Sequence, residues 1–220
     1  MLTRSIVQLL LLLLPWRARR WLLCRLLGYD IHPTATIGLS IIAPSKRLVM
    51  RGGARIGHLN LARGMDSIEL GEGASISHLN WIYGIPSHAS YLQHEAGRRS
   101  ELVLEEGAGI TRRHLVDCSN TVRVGRYALI AGYSTQILTH AIDLHEGRQG
   151  TRRVVIGEAS MVGTRCLVLG GAVLPAFSAL GAGSTLRSAF EETHRIYSGV
   201  PAKAVADVPR DAKFFKRGYQ

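Results

Sequence analysis

Aliphatic residues recur every six positions through the C-terminal half of the chain. Ile156, Val162, Val168, Leu174, Leu180 and Leu186 share one register, and several are followed by glycine. Four places after each of the first five stands a small residue: Ser160, Cys166, Ala172, Ser178 and Ser184. Weaker copies begin at Ile31, Ile37, Ile56, Leu70, Leu104, Val124 and Ile130. A helix repeats every 3.6 residues and an exposed strand every two, so neither produces a period of six. A prism of short strands does. Each unit forms one face and turns a corner, so that about three units close a coil. The aliphatic residue then points inward and the small one fits the corner. Stacked coils pair in parallel, which satisfies their backbone groups. The pattern predicts an all-β chain organised as a parallel β-helix.

Two stretches interrupt the period. Residues 83–100 and 138–153 contain no hexads and read as loops thrown out from the coils, which in a solenoid often carry function. The hexads also start late. Residues 1–29 form an apolar, basic helical segment, residues 30–206 the β-helix, and residues 207–220 a basic tail. Leu9 to Leu14 is an unbroken leucine run, too short for the ~20 residues that cross a bilayer. Arginines follow it instead of the small residues of a signal-peptide cleavage site. With Trp16, Trp21 and five arginines (Arg4, Arg17, Arg19, Arg20, Arg25), the segment reads as one lying on a membrane surface. The competing reading is a helix packed on its own protein or between subunits.

Composition adds little to the fold and more to the partners. Glycine is frequent, at 24 of 220 residues, and aromatics make up 6%, as tight turns around a narrow interior require. The net charge of +11 invites nucleic acid, an anionic membrane or a phosphorylated ligand as partner. No nucleic-acid module and no interleaving of basic and aromatic residues is present, so nucleic acid is set aside. Cys24, Cys118 and Cys166 are far apart, which argues against a disulfide framework and fits a reducing compartment.

Three motifs in order give the chain a family resemblance over residues 104–206. They are Thr139-His140-Ala141-Ile142-Asp143, the coils from Ile156-Gly157 to Gly181-Ala182-Gly183-Ser184, and Ser198-Gly199-Val200-Pro201-Ala202-Lys203. Together they resemble the hexapeptide-repeat acyltransferases, particularly the maltose and galactoside O-acetyltransferase branch. The resemblance implies a left-handed β-helix, a homotrimer with active sites between subunits, and acetyl-coenzyme A (or another acyl-CoA) as donor, with no metal. It places the coenzyme on Gly163, Thr164, Ala182 and Lys203; the basic tail offers Lys213 and Arg217 as further partners for its phosphates. It also places an acceptor near Asp117, with Arg112 and His114 where the sugar acetyltransferases carry an asparagine. That departure, the loop at 83–100 and the N-terminal segment point to an acceptor at the membrane, such as a lipid-linked sugar or growing polysaccharide. The expected location is the cytoplasmic face of the membrane.

The chemistry follows from the reaction. Acyl transfer to a hydroxyl needs a base near the nucleophile and donors aimed at the oxyanion. His140 suits the first role, oriented by Asp143 or Glu146, and the Thr164 N–H suits the second. Two other readings share the fold. A zinc hydratase like the γ-class carbonic anhydrases would use His140 and His145 as ligands. A non-catalytic scaffold would keep the groove without turnover.

Overall fold

The computed structural model describes residues 2–95 and 97–216. Among them, two helices precede three parallel sheets that run the length of the molecule. Helix α1 spans Leu2–Leu11 and helix α2 spans Trp16–Leu27. Gly28 ends α2 in the left-handed conformation (φ 67°), donating its N–H to the Cys24 carbonyl at 3.1 Å, and turns the chain into the first coil.

Each coil contributes one short strand to each face. The first face runs from Asp30–Ile31 to Val173–Leu174, the second from Thr36–Ile37 to Ala179–Leu180, and the third from Ile41–Ala43 to Thr185–Leu186. The register lays the aliphatic residues in columns. On the second face Ile37, Ile56, Ile76, Ile110, Ile130, Val162 and Leu180 stack directly, and Tyr197 closes the column. All are buried. Burying one such side chain stabilises by about 1.5–3 kcal/mol, so each column is a substantial part of the core.

The coils are not all alike. In the last ones, hexads follow each other without gaps. In the earlier ones the first face is longer and carries two inward residues, as in Arg47–Met50 (Leu48, Met50), Ser67–Leu70 (Ile68, Leu70) and Glu101–Leu104 (Leu102, Leu104). Two extra residues per coil put the six-residue period out of phase there. Glycine permits close stacking at one corner: at Gly64 (φ 94°) a Cβ would stand 2.2 Å from the Gly84 carbonyl oxygen.

A sheet edge must be covered or it invites further pairing. The N-terminal helices cover this one. Gln8 acts as an additional rung: its amide accepts from the Ile42 N–H at 2.8 Å and donates to the Ile42 carbonyl. Arg19 donates to the carbonyls of Ile37, Gly38 and Ser40, Arg20 to that of Ile31, and the Trp16 indole to that of Ala35. Leu23 plugs the open core below. At the other end an antiparallel hairpin, Arg195–Gly199 with Ala202–Asp207, extends the second face. Beyond it Lys213–Lys216 is helical, and Phe215 packs edge-on against Phe177 and His194. Arg217 lies outside the described residues.

Candidate functional site

Both interruptions leave the prism from the same edge, the corner between the third face and the first. Residues 84–99 follow the strand Trp81–Tyr83, and the second interruption follows Gln136–Leu138, two coils further on. The coil between them ends its third-face strand at Asp117. Asp117 is therefore sandwiched between the two insertions.

The second insertion is an antiparallel hairpin and not an irregular loop: His140–Asp143 pairs with Arg148–Thr151. The first insertion braces it. His94 Nε2 meets the Gln149 carbonyl at 2.8 Å, and Glu95 Oε1 accepts from the Thr151 N–H at 3.1 Å. Arg98 ties the insertion to the coil through the carbonyls of Ile85, Pro86 and Ser119.

His140 begins the hairpin, and its Nδ1 lies 2.7 Å from Asp117 Oδ2. The same oxygen accepts from the Thr139 N–H and hydroxyl, both at 2.7 Å, and from the His140 N–H at 3.0 Å. Asp117 Oδ1 accepts from the Ser119 N–H and hydroxyl. Six donors thus converge on one fully buried carboxylate. Burial alone would raise its pKa, but the hydrogen bonds from His140, Ser119 and Thr139 outweigh it and hold the carboxyl below its ordinary value. The hydrogen bond to Asp117 in turn raises the His140 pKa, against a smaller opposing effect of burial. With Nδ1 donating to a carboxylate, neutral His140 keeps its lone pair on Nε2. That is the arrangement of a general base. Tyr83 stands edge-on to the ring, centroids 6.4 Å apart.

A pH dependence follows. If His140 serves as a base it must be unprotonated, so turnover should then rise with pH through a His140 pKa held above the usual histidine value by Asp117. Asp117→Asn removes the carboxylate that raises it, so the acid limb should move to lower pH. A limb that stays in place would show that another group titrates.

Several expected residues lie elsewhere. Asp143 does not orient His140. It sits exposed at the hairpin end, where its Oδ1 accepts from the N–H groups of His145 and Glu146, a local turn that needs no catalytic role. Glu146 is also exposed and pairs with Arg148 at 3.7 Å. His114 is no acceptor contact: it is a buried corner residue in a polar ladder. Along that ladder the Asn60 N–H donates to Ser40 Oγ, Asn80 N–H to Asn60 Oδ1 and His114 N–H to Asn80 Oδ1, each at 2.9 Å. The Thr135 N–H donates to His114 Nδ1 and the Cys166 N–H to Thr135 Oγ1, both at 3.1 Å. Each side chain satisfies the backbone of the next coil, and burial pushes the His114 pKa down to about 4, keeping it neutral.

Arg112, Gly163, Thr164 and Ala182 lie at a different corner, between the second and third faces. Arg112 lines a depression of about 750 Å³ there with His78, Thr111 and Tyr133. The Thr164 hydroxyl donates to the Tyr133 carbonyl at 2.9 Å, and Gly163 lies against Ala182 so closely that a Cβ would stand 2.8 Å from its nitrogen. This depression is larger than the cleft beside His140, about 640 Å³, but it holds neither member of the dyad. Lys203 is exposed on the terminal hairpin, paired with Ser198. Cys118 is fully buried with its thiol pKa pushed well up, which makes it a poor nucleophile. His145 is exposed at the hairpin tip while His140 Nδ1 is taken by Asp117, and no three histidine, cysteine or acidic side chains converge as a metal site among the described residues.

The sequence matches no model of a known protein family and no curated protein. Solved structures do match. A mutant form of AntD, an N-acyltransferase from Bacillus cereus in complex with dTDP-4-amino-4,6-dideoxyglucose and coenzyme A, superposes with a TM-score of 0.56. It is 14% identical, over 82% of this chain and 90% of its own. A second Bacillus cereus protein, provisionally described as an acetyltransferase, gives a TM-score of 0.57 at 15% identity, over 82% and 91% of the two chains. The fold is a left-handed parallel β-helix. At these identities the likeness speaks to architecture. A hexapeptide transferase family protein of Anaplasma phagocytophilum overlaps 86% of this chain and 85% of its own, at 19% identity and a TM-score of 0.49.

Proposed function

We propose that the protein is an acyltransferase that moves an acyl group, acetyl in the simplest case, from coenzyme A to a hydroxyl of a sugar or glycan. The observation that carries this is the His140–Asp117 dyad, a buried ionised carboxylate holding an imidazole with its free nitrogen at a cleft. AntD, which shares the fold, is an acyltransferase in complex with coenzyme A, which supports the choice of donor. In the reaction His140 Nε2 takes the hydroxyl proton as the oxygen attacks the thioester carbonyl. The C–S bond breaks, and the departing thiolate takes the proton from His140. The test is incubation with acyl-coenzyme A donors and a panel of glycans, reading thiol release and product mass. No transfer to any hydroxyl would sink the proposal.

The donor-side residues and the dyad stand on different edges of one chain. A homotrimer resolves this if the His140 edge of one copy faces the Gly163–Thr164–Ala182 edge of the next, so that Thr164 N–H serves as oxyanion donor across the interface and Lys203 meets coenzyme phosphates. Chains carrying His140→Ala and chains carrying Ala182→Trp would then be inactive separately and recover activity when co-assembled. No recovery in mixed assemblies would place both halves of the site in one chain.

The N-terminal helices supply a further part of this reading: attachment to the cytoplasmic face of a membrane. No helix among the described residues is long and apolar enough to cross. Yet Ile6, Leu9, Leu10, Leu13, Trp21 and Leu26 are exposed, Leu13 to 94%, beside exposed Arg17 and Arg25. Near anionic lipid a basic residue contributes about 1 kcal/mol. Because α2 also caps the core, deletion would confound the experiment, and substitution is the cleaner probe. The protein should float with anionic vesicles, less in high salt, and Leu9→Ser/Leu10→Ser/Leu13→Ser should leave it in solution. If that variant floats unchanged, or instead loses its oligomeric state, the leucines serve another purpose.

A further inference from the structure

The cleft beside His140 has a chemical character of its own. Arg152 and Arg187 line it, and neither makes an ion pair among the described residues. The Arg152 stem lies over a pair of glycines: a Cβ on Gly171 would stand 3.3 Å from Arg152 Cδ. Arg187 comes from the corner after the last third-face strand, so two separate elements bring guanidinium groups to one place. The acidic groups of the cleft are already engaged. Glu95 accepts from the Thr151 N–H, and Asp143 accepts from two backbone N–H groups at the hairpin end, while feeling Arg148 and Arg152.

A second observation points to the same place. Gln149 Oε1 is buried in the wall of this cleft and has no donor among the described residues. A buried acceptor left unpaired costs about 1–3 kcal/mol, and a turn of the Gln149 amide toward the cleft would let a ligand hydroxyl satisfy it.

We propose that the cleft takes the acceptor as a hydroxyl-bearing anion, its carboxylate or phosphate gripped by Arg152 and Arg187 and one of its hydroxyls donated to Gln149. This rests on the acyltransferase reading and narrows its substrate class. Arginine suits the task because its planar fork matches carboxylate and phosphate oxygens. A second hydroxyl of the same ligand is then presented to His140 Nε2.

Binding tests this without needing turnover. The imidazole resonances of His140 in the full-length protein are followed by NMR on adding glucose, glucuronate or glucose 6-phosphate. The charged sugars should shift them and glucose should not; whichever anion binds more tightly identifies carboxylate or phosphate as the group recognised. Arg152→Gln/Arg187→Gln should weaken that binding at least tenfold, whereas Arg152→Lys/Arg187→Lys should retain part of it. Equal responses to all three sugars, no response to any, or unchanged binding by the glutamine variant would overturn the proposal. So would complete displacement of the sugar by saturating coenzyme A, which would assign the arginines to the donor. If the anions bind as expected but no acyl transfer occurs with any donor, the fault lies in the acyltransferase reading and not in the cleft.

Discussion

His140→Ala should lower kcat by roughly 10²–10⁴-fold, the usual contribution of a positioned general base, with kcat/KM falling in parallel. The protein should meanwhile stay folded, for a reason visible in the site. The His140 ring supplies one of six donors to Asp117, and the backbone N–H groups and hydroxyls that supply the other five remain in the variant. The buried carboxylate therefore keeps its partners, and donor affinity, read from coenzyme A binding, should be nearly unchanged. Asp117→Asn is the opposite case. It disturbs the whole cluster, and its rate loss will be mixed with lost stability. A folded His140→Ala protein that turns over near the wild-type rate would remove this residue from the mechanism.

How far the chain could be read in advance depended on where the period was clean. From Val162 to Leu186 every face holds one inward aliphatic residue per coil, and the hexads are plain. Earlier, the first face holds two, so Leu48 and Met50 or Ile68 and Leu70 shift the phase and leave scattered copies. The signal was the alternation of buried positions within those strands. A single six-residue ruler passes over it.

The site divided the same way. His140 was legible from the motif around it, and the insertions from the loss of period. Its partner is not: Asp143 and Glu146 are close in the chain, while Asp117 is close only once two coils are stacked. In a β-helix a neighbour on the next rung is some twenty residues away, so sequence proximity is a poor guide to which carboxylate meets a ring. His114 misled for a related reason. Nothing local distinguishes it from a ligand contact, but the column containing Asn60 and Asn80 shows it to be one rung of a backbone-satisfying ladder.

Arg19→Met should destabilise the protein by about 2–4 kcal/mol, although the side chain looks, by composition, like one more lipid-facing arginine. It is 3% exposed, and its guanidinium donates to three carbonyls at the open end of the coil, those of Ile37, Gly38 and Ser40. Burial also lowers its pKa, since the charged form is removed from water there. Methionine keeps much of the stem's volume and relieves the cost of burying a charge, but it leaves those carbonyls without their donor. An unsatisfied buried acceptor costs about 1–3 kcal/mol, and water reaching the loosened end would recover part of the total. For a chain of this length such a loss corresponds to a fall in Tm of roughly 5–15 °C. Arg17→Met and Arg25→Met, at exposed positions on the same helix, should leave Tm almost unchanged and reduce only the attraction to anionic vesicles. Thermal melts and flotation on the three variants thus separate two uses of arginine within one helix. A melt of Arg19→Met that coincides with the wild type would show that α2 does not hold the end of the coil shut.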